Sequence, residues 1–356
     1  MTVSKDRSDI KAIALLSGGL DSMLATKVIL DQGIDVEGVN FFTGFCVEGH
    51  THAIRKRKQE KIKRNNALWS AEQLGIKLHV VDVVQEYKDI VLNPKHGYGK
   101  NLNPCLDCKI FMVERALDMV GFDDRAFDFA ISGEVIGQRP KSQRRETMAI
   151  ISRESGANDK LLRPLCAKNL PSTLPERQGW VNRDALYDFA GRSRKPQMKL
   201  AEEYGFKDYA QPAGGCCFLT DKNYSNKLRD LWDTRAHREY ELDDIVLLKV
   251  GRHLRPNARF KLILAREEGE NNFLKGYRQQ YIHIDIASHT GPLALVDGDP
   301  NPDDLLLASR IVARYSQGRN ESAVLAQVHY PDGATQDVSV QPFAPHDIPD
   351  SWHIGA

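Results

Sequence analysis

The stretch that most constrains the fold is a short apolar run, "AIALL" at residues 12–16, followed at once by the turn "SGGLDS" at residues 17–22. Five consecutive apolar residues with no polar alternation suit a strand buried on both faces. After the turn, Leu20, Leu24 and Val28 recur at helical spacing until Gly33 stops the pattern. A doubly buried strand that feeds a helix needs parallel neighbours and helical layers on each side. The sequence offers further strands in "DVEGVNFF" (35–42), "IKLHVVDV" (76–83), "FDFAIS" (127–132) and "LLRPL" (161–165), with helical segments such as "NNALWSAEQLG" between them. This alternation predicts an α/β fold built on a doubly wound parallel sheet. Its ligand is expected at the carboxyl ends of the strands.

The "SGGLDS" turn stands at such an end. Ser17, Gly18 and Gly19 let backbone amides approach an oxyanion, and the helix that follows adds the positive end of its dipole. Phosphate is the natural guest. The turn differs from the common nucleoside-triphosphatase loop because no lysine follows the glycines. With 41% hydrophobic and 27% charged residues among 356, the chain reads as a soluble globular protein of two or three domains. No apolar stretch is long enough to cross a bilayer and none follows a basic start, which predicts a cytoplasmic protein without a membrane partner.

A formal net charge of +1 conceals local clusters. "RKRKQEKIKR", residues 55–64, holds Arg55, Lys56, Arg57 and Lys58 in succession, and "RPKSQRR", residues 139–145, ends in Arg144 and Arg145. Either run is a solvated face or a surface for a polyanion such as RNA.

Six cysteines in a chain of this size, without a secretion signal, point away from a disulfide scaffold and towards thiol or metal chemistry. Cys105 and Cys108 in "NLNPCLDCK" have the spacing that serves zinc, an iron-sulfur cluster or a redox pair. Cys216 and Cys217 lie side by side behind Gly214 and Gly215 in "QPAGGCCFLTD" and supply candidates for completing a site. Cys46 and Cys166 read as small buried hydrophobes.

"SGGLDS" after a strand resembles the pyrophosphatase loop of the ATP-pyrophosphatase (PP-loop) superfamily, whose members adenylate a carbonyl oxygen and let a nucleophile displace AMP. "ISGEVIGQRPKSQ" resembles the tRNA 4-thiouridine synthetases through Gly133, Gly137, Gln138, Ser142 and Gln143. Asn103, Pro104 and Cys108, with Cys217 before Phe218, resemble the two cysteine segments of the tRNA 2-thiouridine synthases. Cys105 stands where that family commonly has aspartate. The resemblance implies ATP and Mg2+ held by Ser17, Gly18, Gly19, Asp21, Ser22, Gly133 and Gln138. It also implies a sulfur site at Cys105, Cys108 and Cys217, with Cys216 as a further thiol. Three thiolates suit a [4Fe-4S] cluster with one open iron; zinc or a cysteine persulfide are the alternatives.

The pattern changes after residue 220. "DIVLLKVG", "FKLILAR", "YIHIDI", "GPLALV" and "SAVLAQVHYP" read as strands and "NPDDLLLASRIVARYS" as a helix, which predicts a smaller α+β domain over residues 221–356 after a PP-loop domain over residues 1–220. "EYELDD", residues 239–244, reads as an acidic linker, and the tail from residue 344 as an extended arm. Stretches at residues 265–277, 281–296 and 302–316 resemble the RNA-associated R domain of the NFACT proteins. His283, His289 and Arg314 are candidate phosphate contacts there, although single residues of this kind are more often structural. The expected function is an ATP-dependent tRNA thiouridine synthase whose partners are tRNA and a sulfur donor, either sulfide or a persulfide carrier. The alternatives are a ligase that adenylates a small molecule or free base with zinc at the cysteines, and a non-catalytic RNA-binding quality-control factor.

Overall fold

The computed structural model describes residues 9–47, 64–120, 127–209 and 216–355. Arg55, Lys56, Arg57, Lys58, Gly214 and Gly215 lie outside these residues. The described chain divides into two compact units, with the break at Gly215–Cys216 and with Val47 assigned to the second.

The first unit is a five-stranded parallel sheet in the order β3-β2-β1-β4-β5, formed by β1 (Lys11–Leu15), β2 (Asp35–Phe42), β3 (Leu78–Asp82), β4 (Phe129–Ser132) and β5 (Leu161–Leu162). Chain order runs outwards on one side through β2 and β3, then returns to the other side of β1 through β4 and β5. The reversal therefore falls between β1 and β4, which pair in register from Ala12 with Phe129 to Leu15 with Ser132. This is the crevice at which doubly wound sheets bind ligands. The expected fold class is observed, and the five strands fall within the predicted runs apart from an earlier start for β1 at Lys11.

Helices cover the sheet. Helix α1 (Leu20–Leu30) is buried at eight of its eleven positions, and its Leu20, Leu24 and Val28 join Ala12 and Ala14 of β1 in the main core. Helix α2 (Asn66–Leu74) starts where the Asn65 side chain accepts a hydrogen bond from the Leu68 amide. Helices α3 (Val84–Leu92) and α4 (Cys105–Asp118) follow, and α4 packs against β1 and β4 through Phe111, Val113 and Ala116. Helices α5 (Arg145–Glu154), α6 (Leu174–Arg177) and α7 (Lys195–Glu203) complete the unit.

The second unit is a six-stranded antiparallel sheet in the order β11-β10-β8-β9-β7-β6, comprising β6 (Arg252–Leu254), β7 (Phe260–Leu264), β8 (Ile282–Ile286), β9 (Ala294–Gly298), β10 (Val324–His329) and β11 (Thr335–Val340). Helices α8 (Lys222–Thr234), α9 (Leu242–Leu247), α10 (Glu268–Leu274) and α11 (Pro302–Arg314) accompany it. Ile284 and Ile286 of β8 and Ala326 and Val328 of β10 alternate onto one face, where Ala308, Ile311 and Val312 of α11 meet them. The irregular tail returns to the sheet: the Arg255 amide donates to the Trp352 carbonyl at 2.8 Å and the Ile354 amide to the His253 carbonyl at 3.0 Å.

One predicted strand is a helix. Residues 244–251 begin within α9, where Glu241 and Asp244 form a capping box and Asp243 and Asp244 lie in the first turn. Asp244 is further held by Arg235 through an Nη1 bond of 2.7 Å. A short apolar run fits a buried helix as well as a strand, and here the acids decide. Among the described residues no helix is long and apolar enough to cross a membrane.

Gly251, which ends this segment, has a φ of +71°, and a Cβ on it would lie 2.5 Å from the Leu264 carbonyl oxygen. Gly251→Ala is therefore expected to lower stability by about 1–3 kcal/mol in urea unfolding. Gly276→Ala, where a Cβ meets nothing within 4 Å, should change it by less than about 0.5 kcal/mol.

Candidate functional site

Residues 17–22 leave β1 and enter α1 at the crevice between β1 and β4. Gly18 has a φ of +77°, and a Cβ there would stand 2.6 Å from the Ala67 amide of α2. Only glycine fits. Gly19 caps α1 without a side-chain hydrogen bond, which leaves the first-turn amides directed at a prospective anion. The Ser22 hydroxyl donates to the Gly19 carbonyl at 2.8 Å, and Ser17 Oγ lies 3.3 Å from Ser22 Oγ.

The segment after β4 closes on this loop. A Cβ on Gly133 would lie 2.5 Å from the Asp21 carbonyl carbon and from the Ser22 amide nitrogen, so the two backbones meet without room for a side chain. Further on, Gln138 donates through Nε2 to Asp21 Oδ2 at 2.6 Å. The Gln143 carbonyl accepts from the Gly137 amide at 2.6 Å, and Ser142 and Gln143 are buried beneath the turn.

A third segment, which the sequence reading did not single out, joins these two. Arg194 places Nη2 3.1 Å from Asp21 Oδ2, and Gln197 donates to Gln138 Oε1 at 2.8 Å. The available signal was Pro196 at the start of α7 just after a glycine turn at Gly191, which marks a helix N-terminus. Asp21 Oδ1 is buried without a hydrogen-bond partner among the described residues. A partnerless buried carboxylate oxygen beside amides that suit phosphate fits a divalent cation such as Mg2+.

The cysteines separate into distinct environments. Cys105 and Cys108 occupy the first turn of α4, three residues apart on one helix face, and both are partly exposed. A helix that crosses back between parallel strands starts at their carboxyl ends, so this pair sits at the same end of the sheet as the phosphate-type loop. Asp107, between them, accepts from the His96 amide at 3.0 Å and ties down the segment before the helix.

Cys166 is fully buried, donates to the Glu134 carbonyl at 3.2 Å, and has its thiol pushed up to about 11 by burial. It is structural, as expected. Cys46 is half-buried with Thr43 Oγ1 at 3.6 Å. Cys216 is exposed and Cys217 half-buried at the opening of the second unit. Among the described residues no group of three or more His, Cys, Asp or Glu side chains is placed to hold a metal ion. Cys105 and Cys108 belong to the first unit and Cys217 to the second.

Of the basic residues, Arg144 and Arg145 lie exposed at the start of α5, and Arg145 is partly engaged through Nη1 to the Asn169 carbonyl at 2.6 Å. His283 stacks on His329 at 4.6 Å between ring centroids, and His289 Nδ1 lies 2.9 Å from Ser288 Oγ, so both histidines have structural partners.

Under the loop, Glu134 is fully buried against Arg163, whose Nε donates to it at 3.0 Å, with Lys109 Nζ at 4.0 Å. Burial raises this carboxyl, but Arg163 and Lys109 outweigh it and hold Glu134 below the ordinary value.

Residues 10–148 match a family model described as the tRNA methyl transferase HUP domain, and residues 251–353 match one described as the NFACT protein RNA binding domain. The chain is 22% identical to the tRNA-specific 2-thiouridylase MnmA of Malacoplasma penetrans over 65% of its own length and 63% of that protein. It is 36% identical to the MnmA of Acholeplasma laidlawii over 61% of its length and 57% of the relative. A probable mitochondrial tRNA-specific 2-thiouridylase of Caenorhabditis elegans is 22% identical over 84% of this chain and 77% of that one. The matched region therefore spans less than two thirds of the two bacterial relatives. A solved C-terminal portion of the fibronectin/fibrinogen-binding protein of Streptococcus suis, at 15% identity, covers 45% of this chain and 72% of that one with a TM-score of 0.26, too low to carry a likeness.

Because Glu134 titrates below its unfolded value of 4.5, its ion pair stabilises fully above that value and is lost as pH falls through the lower, folded one. Glu134→Gln should cost about 3–5 kcal/mol at neutral pH by leaving Arg163 unpaired, and the gap to wild type in denaturant unfolding should narrow on acidification.

Proposed function

We propose that this chain is an ATP-dependent tRNA sulfurtransferase that converts a uridine carbonyl to a thiocarbonyl. The observation that carries the proposal is the position of a partly exposed thiol pair, Cys105 and Cys108, at the same sheet end as a glycine loop with a partnerless Asp21 oxygen. Its similarity to tRNA 2-thiouridylases and to an RNA-binding domain points to tRNA as the substrate.

In this reading the amides of residues 17–22 and the start of α1 hold the phosphates of ATP, and Asp21 Oδ1 supports Mg2+, which would neutralise phosphate charge. The uridine oxygen attacks the α-phosphorus; the bond to the β-phosphate oxygen breaks and pyrophosphate leaves. The carbon now bears AMP as its leaving group. Sulfur attacks that carbon, and the carbon–oxygen bond breaks as AMP departs.

The three thiols read from the sequence, Cys105, Cys108 and Cys217, suit a [4Fe-4S] centre by their chemistry, but a persulfide needs only two of them and no assembled cluster. We place the sulfur on a protein thiol as a persulfide delivered by a donor. Its terminal sulfur forms the new carbon–sulfur bond. A second thiolate then takes the inner sulfur into a disulfide and frees thiouridine, and an external thiol reductant restores the pair. Cys217 is the proposed second thiol. Arg144 and Arg145, with the second unit, are the proposed contacts to the RNA backbone.

Thionucleosides in tRNA from cells lacking the gene should lose one species by mass spectrometry, and an unchanged complement would reject thiolation in favour of small-molecule adenylation or a purely RNA-binding role. Cys108→Ser and Cys217→Ser should each abolish thiolation while leaving adenylation intact. Asp21→Asn should slow adenylation by about a hundredfold or more. Metal analysis of protein purified without oxygen should find substoichiometric iron and zinc. Stoichiometric iron with inorganic sulfide would replace the persulfide with a cluster.

A further inference from the structure

We propose that Arg194 is a phosphate ligand of the nucleotide site, held in position by Asp21. This inference rests on the nucleotide reading above and extends it to a residue outside the glycine loop. Arg194 caps the start of α7 and reaches Asp21 Oδ2 with Nη2 at 3.1 Å. Its Nε is buried and has no hydrogen-bond partner among the described residues, and the same holds for Asp21 Oδ1 and for Gln197 Oε1. Gln197 is itself fully buried.

Buried donors and acceptors are almost always paired in a folded protein. Three partnerless atoms around one carboxylate, of both hydrogen-bonding senses, mark a place completed by a ligand that brings acceptors and a cation together. A phosphate chain with its metal does both.

The hydrogen bonds around Asp21 fix how Arg194 is presented. Gln197 Nε2 donates to Gln138 Oε1, which leaves the Gln138 amide to donate to Asp21 Oδ2 at 2.6 Å. Asp21 is thereby held by two donors on one oxygen, with Oδ1 left for the metal. Close by, the segment carrying Arg194 is clamped to the turn that follows β4: the Gly191 amide donates to the Ile136 carbonyl at 2.7 Å.

Charge supplies a second argument. Asp21 stands in the first turn of α1, beside the amides that would take phosphate, and alone it would repel the ligand they attract. Arg194 cancels that charge. A guanidinium donates in a planar fork, so it can hold a carboxylate by one edge and meet a phosphate oxygen by another.

Equilibrium binding of a non-hydrolysable ATP analogue with Mg2+, and separately of adenosine, to the full chain tests the assignment. Arg194→Gln should weaken the ATP analogue by about tenfold to hundredfold and adenosine by less than about twofold. Arg194→Lys should recover part of the loss, since it keeps the charge without the fork. An unchanged affinity of Arg194→Gln for the ATP analogue, or an equal loss for adenosine, would overturn the role while leaving the nucleotide site standing. Wild-type protein that binds neither probe would overturn both.

Discussion

The approach of Gly133 to the backbone of Asp21 and Ser22 is the contact on which the site of the first unit depends. Two parallel strands bring their loops to the same crevice, but strands alone leave the loops several ångströms of freedom. Where a Cβ would fall 2.5 Å from the neighbouring backbone, that freedom is gone. The glycine turn, the Gln138 amide and the Arg194 guanidinium then converge on the single carboxylate of Asp21, an arrangement that one added methyl group would break.

Much of this was legible in the sequence because the signals were local. The apolar run before "SGGLDS" identified β1, the helical spacing after it identified α1, and alternating runs identified the remaining parallel strands. Gly133 and Gln138 were visible through their pattern, and the structure brings both to Asp21. Arg194 and Gln197 were not, because their importance is set by tertiary contact from more than fifty residues away in sequence, as with Gln138 to Gln197. The misassigned strand at residues 244–251 has the opposite cause. Its apolar content carried no period, and the deciding acids stood just before it and at its first position.

The cysteines show how far residue type can mislead without placement. Cys166 has the same side chain as Cys105 yet lies sealed against the Glu134 carbonyl, its proton held by burial. Cys105 and Cys108 instead stand partly exposed in the first turn of a long helix. The same element buries Phe111 and Val113.

The return of the C-terminal tail along β6 has a consequence for solubility. An antiparallel sheet of six strands has two borders whose backbone amides and carbonyls invite a strand from another molecule. Trp352 and Ile354 occupy such groups on Arg255 and His253, so the β6 border is already answered from within the chain. At the opposite border β11 exposes Thr335, Gln336 and Asp337, side chains that discourage stacking. The same tail packs Trp352 against the core of the second unit, so shortening it would loosen that core as well as expose the β6 border.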